Sequence, residues 1–63
     1  MDKFPILQFF KYEHLPPHLQ EISKPFADLA NQTVERGSNN PAEVAAGLRK
    51  LLEAKDCAVR AAL

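Results

Sequence analysis

RGSNNPAE, at residues 36–43, is the stretch that decides the fold, because it ends one helical pattern and begins another. Gly37 can adopt the left-handed conformation that commonly ends a helix. Asn40 is a favourable N-cap residue, Pro41 suits the first position of a helix, and Glu43 completes a variant of the capping box. The stretch therefore predicts a short turn followed by the start of a second helix.

Downstream of the turn, apolar residues recur with a helical period and predict a helix over about 41–62. Their spacings are 4, 3, 4, 3 and 4, which is typical of a narrow coiled-coil seam. The members of this seam are Val44, Leu48, Leu51, Lys55, Ala58 and Ala62, and Leu52 and Val59 widen it. The pattern predicts that one face of this helix is buried.

Upstream of the turn, a seam of the same period predicts a first helix over about 16–35. Its members are Leu15, Leu19, Ile22, Phe26, Leu29 and Thr33. Pro16 and Pro17 suit a first helical turn, and Pro25 predicts a kink without a break because the seam keeps its phase across it. Two seams of equal period joined by a turn at residues 36–40 indicate antiparallel packing.

Residues 1–14 form a predicted aromatic arm, in which Pro5 disfavours a regular helix. The arm holds four of the five aromatic residues, namely Phe4, Phe9, Phe10 and Tyr12. One interpretation is that these rings cap the core of the hairpin. The other is that some ring, such as Phe10 or Tyr12, faces a ligand or a partner.

Size and composition indicate that this single domain needs help to be stable. A chain of 63 residues is marginal as an independent domain unless disulfides, a metal or assembly stabilise it. Cys57 is the only cysteine, so no disulfide forms within the chain, and His14 and His18 do not complete a metal site. We therefore expect an all-α, antiparallel two-helix hairpin that assembles into a helical homo-oligomer.

The charge balance argues against binding to nucleic-acid polymers or membranes. Eight basic and eight acidic side chains give a formal net charge of zero, whereas such binders usually carry a basic excess. The sequence contains no recognisable signal peptide and no long apolar run, which favours a soluble, intracellular protein. A few lysines could still bind a small anionic ligand.

Lys55 is the most informative single residue, because it falls within the apolar stripe of the second helix. A buried, unpaired ammonium group is costly, so the side chain must reach water, form an ion pair or meet an anion. Two interpretations remain open at this stage. The ordinary one is an ion pair across a protomer interface, or a lysine whose stem packs while its charged head reaches water. The functional one is a phosphate contact in a pocket between subunits.

A second candidate group could bind a nucleotide. A nucleobase needs a flat π-surface and its phosphate needs a cation. Tyr12 offers the surface, and Lys11, Lys24 or Arg60 from the same or another chain could supply the cation, although solvated surface charge is the ordinary alternative. No arrangement of nucleophile and base supports catalysis, and we expect no enzyme activity, cofactor or metal.

The stretch NPAEVAAGLRKLLEAKDCAVRAAL, at residues 40–63, resembles the second helix of phage anti-CBASS and anti-Thoeris sponges. The matching positions are Leu51, Ala54, Ala58, Arg60 and Ala61. The stretch FFKYEHLPPHLQEISKPFADLA, at residues 9–30, is similar in layout, with an aromatic lead, a tyrosine before the helix and a lysine within it. The resemblance implies that Tyr12 stacks on a base and that Lys24 contacts a phosphate.

Members of this family sequester cyclic oligonucleotides or cyclic ADP-ribose-type immune signals without cleaving them, and they are typically hexamers with pockets between protomers. The resemblance therefore implies immune evasion by a bacteriophage protein in the cytoplasm of its bacterial host. A helical protein–protein interaction or assembly module without a small ligand is the alternative, since the aromatic arm and the alanine-rich flank of the second helix suit it equally well.

Overall fold

The computed structural model describes residues 4–37 and 39–63, and contains three helical elements in this part of the chain. A 3-10 helix covers Pro5–Phe10, helix α1 covers Pro17–Arg36, and helix α2 covers Pro41–Ala62. The prediction of an all-α fold is confirmed. Residues 1–3 of the predicted arm and Ser38 of the predicted turn lie outside the described residues.

The junction between α1 and α2 is closed by local hydrogen bonds. The side-chain oxygen of Asn40 accepts a bond from the backbone N–H of Glu43 at 3.2 Å, which makes Asn40 the predicted N-cap. In a complete capping box, the Glu43 side chain would accept a bond from the backbone N–H of Asn40. This N–H donates instead to the carbonyl of Gly37 at 3.0 Å. Pro41 occupies the first helical position, where a missing N–H costs nothing.

Gly37 does not adopt the predicted left-handed conformation. Its φ of −98° and ψ of 25° are open to residues with a side chain, and its N–H continues the helix by donating to the carbonyl of Thr33 at 3.0 Å. The requirement for glycine is steric, because a Cβ atom at this position would collide with the side chain of Val44. Glycine is therefore required at this position because α2 lies too close for a side chain, and not because the backbone conformation demands it.

The core lies where the 3-10 helix packs across the two long helices. Its buried members are Phe4, Phe10, Ala27, Ala30, Val44 and Leu48. Phe10 is 3% exposed, and Ala30 and Leu48 are fully buried. The interpretation that aromatic rings cap the hairpin core is therefore confirmed for Phe4 and Phe10, whereas Phe9 is 57% exposed.

The buried face of α1 differs from the predicted seam. The buried residues are Leu19, Ser23, Ala27 and Ala30, and their mean direction is rotated by roughly 80° from that of the seam at 100° per residue. Leu29, a predicted seam residue, is 49% exposed. The small side chains on the buried face let α1 approach its neighbours closely, and this leaves part of the larger apolar seam uncovered.

Part of the predicted aromatic arm is helical. Residues 5–10 form a 3-10 helix, and Pro5 is compatible with it because the first position needs no N–H donor. Phe10, at the end of this short helix, is buried in the core. Pro5 therefore begins a short helix, although it disfavours a helix that continues through it.

Candidate functional site

The segment between the 3-10 helix and α1 places Tyr12 beside the core. Lys11 is extended, with φ of −63° and ψ of 138°, and the carbonyl of Tyr12 accepts a bond from the N–H of Leu15 at 3.0 Å. The ring of Tyr12 is half-buried and packs against the core cluster. Residues 11–16, which we call the linker, thus turn the chain into α1 with Tyr12 held against the protein.

Lys24 projects from α1 close to Tyr12, although the two residues are well separated in sequence. Its ammonium group forms an ion pair with Asp28 at 2.9 Å, one turn further along α1. The hydrogen bond and the charge of Asp28, together with the nearby Tyr12 phenol, raise the pKa of Lys24 above its usual range. Lys24 is therefore a cation at neutral pH, and its charge lies in solvent near the aromatic ring.

A small cavity of about 130 Å³ opens beside Tyr12. It is bounded by the 3-10 helix, the linker and the face of α1 that carries Ala27. The lining residues are Leu7, Phe10, Lys11, Tyr12, Glu13, Ala27 and Asn31. Asn31 donates its side-chain N–H to the carbonyl of Ala27 at 3.0 Å, which leaves its amide oxygen available as an acceptor.

Lys55 is engaged by its own chain. Its side chain is 13% exposed, and the ammonium lies 3.2 Å from the carboxylate of Asp56. The same Nζ atom donates a hydrogen bond of 3.0 Å to the backbone carbonyl of Phe9. The structure shows a carboxylate partner within the same chain, whereas the sequence led us to expect such a partner across a protomer interface.

Lys55 also borders a second cavity, of about 300 Å³, on the other side of the 3-10 helix. The lining residues are Gln8, Phe9, Lys11, His14, Leu15, Lys55, Asp56, Val59 and Arg60. Lys11 and Arg60 are exposed, and the guanidinium of Arg60 makes a contact of 3.4 Å with the sulfur of Cys57. This cavity carries an excess of cationic side chains, with Asp56 as its one lining carboxylate.

The six predicted ligand-binding residues thus fall into two groups. Tyr12 and the buried ring of Phe10 line the smaller cavity. Lys24 does not line it, but lies near enough to Tyr12 for the phenol to contribute to its raised pKa. Lys55 and Arg60 line the larger cavity, and Lys11 lines both. The fold therefore places Tyr12 and Lys55 at different openings.

Gln20 is a residue that sequence reasoning missed. Its side-chain amide donates to the carbonyl of Leu15 at 2.7 Å and to that of Glu13 at 3.2 Å, and so fastens the linker to α1. The carbonyl of Phe9, the acceptor for Lys55, was missed as well. Both involve backbone acceptors, which are present at every position and leave no mark in a sequence.

Among the described residues, no group of three or more His, Cys, Asp or Glu side chains is placed to hold a metal ion. Neither α1 nor α2 is both long and apolar enough to cross a membrane. Comparison with protein-family models, curated proteins and solved structures finds no match to this chain.

Proposed function

We propose that this protein is a phage-encoded sponge that binds cyclic oligonucleotide immune signals, of the cyclic di- or trinucleotide or cyclic ADP-ribose type, and sequesters them without cleavage. By lowering the free concentration of these signals in the cytoplasm of the infected bacterium, it would block anti-phage signalling of the CBASS or Thoeris kind. The proposal begins with the resemblance of residues 9–30 and 40–63 to such sponges.

The feature that supports the proposal is the combination of an aromatic ring, Tyr12, with an exposed cation, Lys24, whose pKa Tyr12 helps to raise. The two residues come from different elements, and the phenol of Tyr12 is close enough to Lys24 to contribute to its raised pKa. A base stacked on the Tyr12 ring would place its phosphate within reach of the ammonium, which combines the two interactions that nucleotide binding requires.

Asp28 gives this site a built-in competitor. Its carboxylate holds the Lys24 ammonium at 2.9 Å, in the position that a phosphate would take. A bound phosphate would have to displace Asp28 or share Lys24 with it. The pair therefore keeps the lysine oriented when the site is empty, while weakening the attraction for anions.

A second copy of the chain is part of the proposal, because the cavity beside Tyr12 is too small to enclose a cyclic dinucleotide. Sites for such ligands usually measure roughly 300–1,000 Å³, whereas the cavity beside Tyr12 measures about 130 Å³. The exposed apolar side chains of Phe9 and Leu29 are candidates for burial between protomers. We expect a homo-oligomer, and the resemblance favours a hexamer with pockets at its interfaces.

The second candidate, a helical interaction module without a small ligand, is favoured by the same exposed apolar side chains. Phe9, Leu29 and Leu63 are 57%, 49% and 83% exposed, and they could contact a different protein instead of a second copy. In that case substitution of Tyr12 or Lys24 would leave partner binding intact. A pull-down that recovers a defined heterologous partner, together with absence of nucleotide binding, would favour this candidate.

Titration calorimetry of the assembled protein against cyclic dinucleotides, cyclic trinucleotides and cyclic ADP-ribose tests the main proposal. We expect binding of at least one ligand, loss of binding in Tyr12→Ala and Lys24→Met, and no change in the control Lys50→Met. Lys50 is exposed on α2, so the control removes the same charge elsewhere. Recovery of intact ligand after denaturation would show sequestration, and failure of every ligand to bind would overturn the proposal.

Light scattering on the same samples measures the oligomer. The proposal expects a mass of several protomers before ligand is added. A monomer that binds ligand as tightly as the assembled protein would contradict the expectation that a second copy completes the pocket.

A further inference from the structure

We propose that Lys55 is a positioning residue that acts from α2 on Tyr12 by holding the end of the 3-10 helix, just before the linker, rather than a residue that contacts the ligand. The part of this inference that concerns ligand affinity rests on the proposed function. The part that concerns the conformation of Tyr12 stands by itself, since it follows from hydrogen bonds within one chain.

Two side-chain clamps bracket Tyr12. Upstream, the ammonium of Lys55 donates to the carbonyl of Phe9 at 3.0 Å. Downstream, the amide of Gln20 donates to the carbonyls of Glu13 and Leu15 at 3.2 and 2.7 Å. The ring thus sits on a short segment that α2 holds at one end and α1 holds at the other.

Lys55 is the sole side chain of α2 that forms a hydrogen bond to the 3-10 helix or the linker, among residues 4–37 and 39–63. The carbonyls at the C-terminal end of a helix lack partners within it and carry partial negative charge. A protonated lysine meets such a carbonyl with a charge-assisted bond, which is stronger than a neutral one.

The location of Lys55 favours a role in positioning Tyr12 over direct contact with the ligand. Lys55 lines the cavity of about 300 Å³ but does not line the cavity beside Tyr12. Its ammonium already has a carbonyl and the Asp56 carboxylate as partners. Its influence on the Tyr12 side is therefore transmitted through the backbone from Phe9 to Tyr12, and the presence of a lysine in the apolar stripe is explained without a ligand.

Tyr12 provides a direct readout, because the chain contains one tyrosine and no tryptophan. Tyrosine emission, its quenching by acrylamide and its anisotropy all report on this ring alone. We expect Lys55→Met to increase quenching and lower the anisotropy of Tyr12 while the far-ultraviolet circular dichroism of the helices is kept. Lys55→Arg, which retains a charged donor, should restore the wild-type signal, and Lys50→Met should not change it.

Gln20→Leu removes the downstream clamp and serves as the second variant. We expect it to mobilise Tyr12 as well, and Gln32→Leu, an exposed position on α1, is its control. If Lys55→Met fails to fold, Gln20→Leu alone decides whether the clamps order the ring. An unchanged Tyr12 signal in a folded Lys55→Met, or in Gln20→Leu when Lys55→Met does not fold, would overturn the inference.

Ligand affinity provides the final discrimination, using the cyclic nucleotide that binds most tightly to the wild type. Loss of one charge-assisted hydrogen bond from the pre-organised site should weaken binding roughly tenfold. Weaker binding without a change in the free-state Tyr12 signal would show that Lys55 contacts the ligand, and would overturn positioning. If no cyclic nucleotide binds the wild type, the proposed function fails, while the Tyr12 signal still decides whether Lys55 is a clamp.

Discussion

Gly37, at the end of α1, lies directly against the side chain of Val44 in the first turn of α2. A Cβ atom on Gly37 would collide with Cγ2 of Val44 and would lie 3.0 Å from the carbonyl oxygen of Thr33. Val44 is 5% exposed and belongs to the core, so it has little room to move. This contact fixes the distance between the two helices at the turn.

Gly37→Ala should therefore destabilise the fold, although the backbone conformation itself accepts alanine. Overpacking of a buried contact costs roughly 1–3 kcal/mol, and each kcal/mol lowers Tm by roughly 4–8 °C in a domain of this size. Thermal unfolding followed by circular dichroism measures the shift. A Tm equal to that of the wild type would show that the turn can open without loss of packing.

Gly47→Ala is the matched control and should have the opposite sign. A Cβ atom on Gly47 would meet no atom within 4 Å, and the residue lies within α2. Replacing an exposed helical glycine by alanine stabilises a helix by roughly 0.5–1 kcal/mol. Equal effects of the two substitutions in the same melting experiment would contradict the steric explanation.

Ser23 supplies a prediction about the core. Its side chain is 1% exposed, and its hydroxyl oxygen is buried without a hydrogen-bond partner among the described residues. A buried hydroxyl without a partner costs roughly 1–3 kcal/mol. Ser23→Ala should therefore raise the free energy of unfolding in urea denaturation, even though it removes atoms from the core.

Ala30→Ser tests the same reasoning in reverse. Ala30 is fully buried on the same face of α1, so the substitution adds a hydroxyl where the surroundings are apolar. We expect destabilisation without a change in the denaturant m-value. Stabilisation by Ala30→Ser, or destabilisation by Ser23→Ala, would indicate that hydroxyls on this face find partners in the assembled protein.

Asp28→Asn should strengthen binding of an anionic ligand under the proposed function. The carboxylate neutralises Lys24 at 2.9 Å, and its removal leaves the ammonium free for a phosphate. The change of one nearby charge at an exposed site corresponds to roughly three- to tenfold tighter binding at low salt. Calorimetry at low and high ionic strength measures it, and the gain should shrink as salt screens the charges. Weaker binding would indicate that Asp28 itself contacts the ligand.

The pH dependence of Lys24 follows from the same ion pair. Since Asp28 raises the pKa of Lys24 in the folded state, the stabilisation from this pair is fully present below the usual lysine pKa. It is lost as the pH rises through the higher folded-state pKa. NMR titration of the Lys24 side chain should therefore give a lower pKa in Asp28→Asn than in the wild type, and an unchanged pKa would contradict the pairing.

Several features could be predicted because they depend on local sequence. Asn40 and Pro41 begin α2 through a cap and a missing donor, both of which act within one helical turn. The stripe of α2 identified Val44 and Leu48, which are buried. It also singled out Lys55 as a cation that needs a partner, although it could not identify the carbonyl of Phe9 as that partner.

The buried face of α1 could not be predicted in the same way. The helical spacing of large apolar residues predicted that the face with Leu29 is buried. In the structure, the buried face carries the small side chains of Ser23, Ala27 and Ala30. Helical periodicity measures where apolar residues lie but not how near the neighbouring helix comes. The 3-10 helix was missed because Pro5 disfavours a helix that continues through it, whereas in the structure it occupies the first position of one.

The amino-acid sequence alone determined two helices, their order and the boundary between them, since caps, prolines and helical period are interactions between residues a few positions apart. Only the tertiary structure decided that Gly37 is required for space, that Tyr12 lies beside Lys24, and that Lys55 bonds to Phe9. These relationships depend on the distance between the two helices and on the path of the backbone. Neither is encoded at any single position, because both result from packing the whole chain around Phe10 and Leu48.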